Sequence, residues 1–118
     1  MSRPKTIFCD IDGTLIKHYT PDITSKKDFT PTLLYGTLNK LNEWDKKGYK
    51  IILVTARRES MRKITEKQLS EIGIFYDYLI MGISSGPRVL INDMKPDNEI
   101  TAFSFNLVRD EGIKSIEI

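Results

Sequence analysis

The chain is poor in the residues that anchor small domains covalently or through metal. It has one cysteine, Cys9, and one histidine, His18, in 118 residues. A single thiol excludes an internal disulfide, and one Cys with one His cannot make a Cys-rich zinc site. No apolar run approaches the roughly 20 residues that a membrane-spanning helix needs. The start, Met-Ser-Arg-Pro-Lys-Thr, lacks the apolar stretch and small-residue cleavage site of a signal peptide. The expectation is a cytoplasmic protein with no membrane partner. Charge of one sign is also missing, since 18 basic against 16 acidic residues leave +2. With no basic stripe, the balance speaks against nucleic acid as a ligand. Seven glycines and five prolines, without repeats, exclude collagen-like and low-complexity chains. What remains is 40% hydrophobic and 29% charged, an ordinary globular composition. The length fits one domain over residues 1–118.

Several segments have clear signatures. Thr6-Ile7-Phe8-Cys9 is a short β-forming run that stops at the turn-forming Asp10-Ile11-Asp12-Gly13-Thr14. Residues 16–30 are mixed and polar, a loop or short hairpin. Thr30 can cap a helix with Pro31 at its first position, and Leu34, Leu38, Leu41 and Trp44 mark one apolar face. Gly48 closes it. Tyr49 to Val54 is a second buried strand running into Thr55-Ala56-Arg57. A second helix covers about Glu59 to Ile72, and a short strand about Tyr76 to Met81. After a loop from Gly82 to Pro87, Val89-Leu90-Ile91 reads as another buried strand ending in Asn92-Asp93. Residues 100–108 fit a helix or, on their aromatics, a strand. Ile113 to Ile118 alternates like an edge strand. Apolar strands alternating with helices indicate a parallel α/β sheet with right-handed crossovers. Ligands bind such sheets beyond the carboxyl ends of the strands. Asp10, Asp12, Thr55 and Asp93 each sit just past an apolar run.

Asp10 and Asp12 lie two residues apart, so on a strand they share a side. Two carboxylates that close repel unless a cation or a shared proton intervenes. Mg²⁺ suits hard oxygen ligands, and Asp10 with Asp93 would leave room for water and a phosphate. The chemistry then runs by attack of Asp10 on phosphorus, giving an aspartyl-phosphate. Asp12 protonates the leaving oxygen and then takes a proton from the attacking water. Backbone N–H groups near Asp12 and Gly13 could cradle the phosphate, and Thr55 could donate its hydroxyl to it. Taken alone, Asp-x-Asp-Gly-Thr is also an ordinary turn after a strand.

Phe8-Cys9-Asp10-Ile11-Asp12-Gly13-Thr14-Leu15 resembles the first motif of the haloacid dehalogenase (HAD) superfamily in its phosphatase branch. Leu53-Val54-Thr55-Ala56-Arg57 resembles the second motif, and Leu90-Ile91-Asn92-Asp93, followed by Asp97, the acidic fourth. The resemblance implies a Rossmann-like, three-layer α/β fold with a small, mainly parallel sheet. It also implies Mg²⁺, an Asp10 nucleophile, an Asp12 general acid/base and the Asp12 backbone carbonyl as a metal ligand. The metal set is then Asp10, Asp12 and Asp93. Substrate contacts are expected at Gly13, Thr14, Ala56 and Arg57. Two departures stand out. Relatives often carry Gly-Lys-Pro after the third strand, where this chain has Gly82-Ile83-Ser84. Arg88 is the first substitute for that lysine, Lys95 the second and Lys67 a distant third. Asn92 replaces a second aspartate. The free thiol of Cys9 gets no role, because burial is its usual fate.

The loop from Leu15 to Pro31 and the connection from Thr55 to Tyr76 are too short for a cap domain. A capless site is open to water and suits a large substrate or closure by a neighbouring subunit. The small size adds weight to a homo-oligomer. The leading expectation is a Mg²⁺-dependent phosphatase acting on a small phosphate ester, such as a phosphorylated sugar or sugar acid. The alternatives are a catalytically weak member that binds a phosphorylated ligand or a protein, and a nucleic-acid end phosphatase.

Overall fold

A computed structural model describes residues 3–118. Met1 and Ser2, the first residues of the N-terminus read above, lie outside the described residues. Three strands build the sheet: β1 (Thr6–Asp10), β2 (Lys50–Val54) and β3 (Tyr78–Ile80). They are parallel, in the order β1-β2-β3, with Asp10 opposite Val54 and Val54 opposite Ile80. Alternation along each strand sends Ile7, Cys9, Ile51, Leu53 and Leu79 to one face, where all are buried.

Three helices connect the strands: α1 (Pro21–Thr24), α2 (Thr37–Lys46) and α3 (Arg62–Glu71). A 3₁₀ turn at Glu59–Met61 leads into α3. Leu41 and Trp44 of α2 and Leu69 of α3 enter the same cluster as the buried strand residues, so both helices serve one sheet face. The opposite face carries Phe8, Tyr78 and Ile80, which are exposed, and Ile52 and Val54, which are half-buried. The small parallel α/β sheet is as expected, whereas among the described residues a single helical layer stands against the sheet in place of the two of a three-layer fold.

Three expectations need correction. The helix expected from Pro31 is α2 and begins at Thr37, and the expected loop or hairpin of residues 16–30 holds the short helix α1. Leu33 instead bridges Ile16 antiparallel, Leu34 N–H donates to Leu15 C=O, and Gly36 turns the chain with φ +86°. Tertiary bonding thus overrides a good capping signal. Second, Val89-Leu90-Ile91 is not a sheet strand. It is exposed, and among the described residues β1 has no hydrogen-bonded neighbour on its outer edge. Third, neither 100–108 nor 113–118 forms a strand. Ile113 and Ile116 are nonetheless buried, packed as a turn closed by Ile116 N–H on Ile113 C=O.

The segment from Arg88 to Arg109 leaves the body and returns. It starts beside the carboxyl end of β1, where Arg88 pairs with Asp10 at 2.9 Å. It reaches the other end of β1, where Glu99 pairs with Arg3 at 3.3 Å. It comes back to the first motif, where Asp110 N–H donates to Gly13 C=O at 2.8 Å. A turn at Lys95–Asn98 forms its tip, closed by Asn98 N–H on Lys95 C=O and Lys95 N–H on Glu99 C=O.

Candidate active site

The carboxyl ends of β1 and β2 meet by register. Asp10 ends β1 opposite Val54, and Thr55 follows directly. Beyond Asp10 the chain folds tightly on itself: Leu15 and Ile16 N–H both donate to Ile11 C=O, Thr14 N–H does so at 3.2 Å, and Gly13 N–H donates to Ile16 C=O at 2.8 Å. Gly13 has φ +84°, a conformation that costs side-chain-bearing residues about 1–2 kcal/mol. The amides of Gly13 and Thr14 are therefore committed to the turn, which corrects the expected cradle. The Asp12 N–H makes no backbone bond among the described residues.

The carboxylate of Asp10 is about one-third exposed. One oxygen lies 2.9 Å from Arg88 Nη1 in an ion pair, and Thr14 Oγ1 lies 3.5 Å from the other. Asp12 is held differently. Arg57 Nε and Nη2 donate to its two oxygens at 3.0 and 2.8 Å. Arg57 Nη1 also donates to Thr65 Oγ1 at 3.1 Å and Gln68 Oε1 at 2.9 Å on α3. Gln68 Nε2 in turn donates to Thr24 C=O of α1 at 2.8 Å. The Arg57 side chain is 7% exposed, so this is a nearly buried fork that fixes Asp12 from below. Arg57 was expected to touch substrate; its donors are turned inward instead, because α3 offers them partners. Thr55 is buried, and its hydroxyl accepts the Arg57 N–H at 3.1 Å. Ala56 is exposed at the same strand end.

The remaining candidates separate. Asp93 is not brought to Asp10 and Asp12, because the run before it does not join the sheet. No group of three His, Cys, Asp or Glu side chains placed for a metal occurs among the described residues. Lys95 sits in the turn at the far tip of the excursion, at the opposite end of β1 from Asp10. Lys67 pairs with Glu71 on the surface of α3. Burial pushes the Cys9 thiol up to about 12, with Asp10 adding to the effect, so it stays protonated and inert.

Two residues were missed in the sequence. A side chain at Gly13 would meet Arg109 Cγ at 3.1 Å, so the stem of Arg109 lies on the motif turn. Asp110 accepts the His18 N–H at 2.8 Å while its own N–H holds Gly13. The available signal was the apolar run Phe103 to Val108 ending in Arg109-Asp110, the same pattern that marked the other strand ends.

The family model described as "PITM 1-3, LNS2 domain" matches residues 7–96. The chain belongs to the LNS2 domain family. It is thereby a member of the HAD-like phosphatase superfamily. No curated protein matches the chain. Among solved structures, a chain of the Pnkp1/Rnl/Hen1 complex is 31% identical over 75% of this chain, with a TM-score of 0.58. A chain of the Pnkp1/Rnl/Hen1 RNA repair complex is 32% identical over 72% of this chain, with a TM-score of 0.57. The match spans only 31% and 28% of those two chains. A crystal structure of a protein from Vibrio cholerae is 20% identical, covers 79% of this chain and 85% of its own, and shares the fold with a TM-score of 0.53. No helix among the described residues is long and apolar enough to cross a membrane.

Proposed function

We propose that this LNS2-type chain, read as one domain over residues 1–118, hydrolyses phosphomonoesters through an aspartyl-phosphate on Asp10. The observation that carries the reading is the contrast between its two aspartates. Asp10 is open to a ligand at the end of β1, and Asp12, two residues on, is fixed by a buried arginine fork. Asp10 attacks phosphorus, and the bond from phosphorus to the leaving oxygen breaks. Asp12 gives its proton to that oxygen. It then removes a proton from water, whose oxygen attacks phosphorus and releases inorganic phosphate and the free Asp10 carboxylate. Arg57 sets the direction of Asp12, and Thr14, Thr55 and the Asp12 N–H line the phosphate side. Arg88 replaces the motif lysine, supported by its place on Asp10. Arg109 adds a second cation above Gly13.

Mg²⁺ fits the residues present. The Asp10 carboxylate and the Asp12 carbonyl, which accepts no backbone bond among the described residues, are hard oxygen donors at an open mouth. Mg²⁺ keeps several waters and needs only one or two carboxylates beside a substrate phosphate. These two groups would hold it, and when bound it would neutralise charge on the phosphoryl oxygens.

The substrate we favour is a small phosphate ester, of the phosphorylated sugar or sugar acid class. A second reading, a phosphate at a nucleic-acid end, draws support from the two matches to chains of the Pnkp1/Rnl/Hen1 complexes, one titled an RNA repair complex. The test is phosphate release from sugar phosphates, sugar-acid phosphates, nucleotides, end-phosphorylated oligonucleotides and an aryl phosphate, with Mg²⁺ and with chelator. Mg²⁺-dependent turnover should fall at least ~10³-fold in Asp10→Asn, since loss of a covalent nucleophile costs that much or more. Turnover retained by folded Asp10→Asn would reject the mechanism.

A further inference from the structure

We infer that the excursion from Arg88 to Arg109 is the contact surface of a homodimer. Along it Val89 is 83% exposed, Ile91 90% and Ile100 71%, and Leu90, Phe103 and Phe105 are exposed beside them. Soluble proteins rarely leave so many large apolar side chains together in water. The backbone adds to the demand. Only the tip is closed, by its turn bonds and by Asn92 Nδ2 donating to Thr101 Oγ1 at 2.9 Å. Residues 88–91 and 102–107 form no ladder and make no backbone hydrogen bond among the described residues, which leaves their N–H and C=O groups available to a partner.

The occupant that fits is a second copy of this chain. The excursion carries three basic residues, Arg88, Lys95 and Arg109, against three acidic ones, Asp93, Asp97 and Glu99. A neutral surface of mixed sign does not repel its own copy. It offers no field to the anionic surface of a nucleic acid or a membrane. Eight of its large apolar side chains are exposed, a supply suited to the ~800 Å² that each partner buries in a standard interface. A twofold arrangement sets the same apolar edge against itself and lets the two copies complete each other's ladders. The roots of the excursion are Arg88 on Asp10 and Arg109 on Gly13, so the same contact steadies two cations at the site.

Light scattering on the whole chain over a range of micromolar concentrations, paired with hydrogen exchange, tests this. The expected mass is twice 13.6 kDa, falling towards one copy on dilution, with slow exchange at amides 88–91 and 102–107 that becomes fast as the dimer dissociates. Ile91→Glu and Phe103→Glu, at exposed positions, should each yield a monomer with unchanged circular dichroism. A wild-type monomer at the highest concentration overturns the inference, whatever other partner the surface takes. A dimer that survives both substitutions, or one whose excursion exchanges fast, overturns it as well. Asp10→Asn should dimerise like the wild type, so loss of activity and loss of the dimer are separable results.

Discussion

Arg57 carries more of the site than any other single side chain. Its guanidinium makes four hydrogen bonds, two to Asp12 and two to α3, in nearly buried surroundings. Arg57→Ala would leave the Asp12 carboxylate and Gln68 Oε1 without their arginine donors. Breaking a buried pair costs about 3–5 kcal/mol, and the partial exposure of Asp12 brings this to ~2–3 kcal/mol. Urea unfolding should show that loss. Phosphate release should fall through kcat more than KM, because the fork orients the proton donor and does not hold the ester. Arg57→Lys keeps the charge without the two-pronged geometry and should recover stability better than rate. Equal recovery of both would argue against a positioning role. Cys9 behaves as a buried apolar group. Its thiol is raised from an ordinary 9.0 to about 12, so the unfolded chain loses this proton first as pH rises. The contribution is therefore constant below about pH 9 and is lost between about 9 and 12. Cys9→Ala should flatten that alkaline decline relative to the wild type, and a thiol reagent at neutral pH should label Cys9 only on unfolding.

At the level of elements, the entry to α2 shows how tertiary contacts choose a boundary. A Cβ on Gly36 would lie 2.7 Å from Lys114 Cα, and one on Gly112 would lie 2.7 Å from Tyr35 C=O oxygen. The two backbones cross in contact there, which docks the C-terminal turn with its buried Ile113 and Ile116. Gly48 also has positive φ but meets nothing within 4 Å. Gly48→Ala should cost only the left-handed penalty, about 1–2 kcal/mol. Gly36→Ala should cost clearly more and shift the urea midpoint further at an unchanged slope. Equal shifts would mean that the crossing relaxes freely. The same contrast explains what could be read beforehand. β1, β2 and α3 follow from local pattern because each buries its own apolar residues against the neighbouring element in the chain. The start of α2 does not, since Leu33 and Leu34 are taken by Ile16 and Leu15. Val89-Leu90-Ile91 has the composition of a buried strand, but pattern cannot say whether the burying surface belongs to the same chain. Asp10, Asp12 and Thr55 were legible because a strand end fixes their position. The inward turn of Arg57 and the approach of Arg109 depend on contacts 45 residues away in one case and from a distant segment in the other.

Across the whole molecule, seven of the 18 basic residues are held in ion pairs among the described residues. Arg3, Lys40, Lys50, Arg57, Arg62, Lys67 and Arg88 each face a carboxylate. Beside the motif turn, Arg109 has no acidic partner among the described residues. At the site a phosphate group meets one or two cations, Arg88 and Arg109. This arrangement decides between the two substrate readings by salt. For a small ester, kcat/KM should change less than ~3-fold between 50 and 200 mM salt, since only the reacting phosphate is contacted. A nucleic-acid substrate gripped through 6–10 phosphates would lose ~10³–10⁵ in affinity over the same range. The measurement is kcat/KM on an aryl phosphate and on an end-phosphorylated oligonucleotide across that interval. The expected result is a shallow, parallel dependence for both. A steep fall confined to the oligonucleotide would show that its backbone is held outside the site, and would move the substrate to nucleic-acid ends.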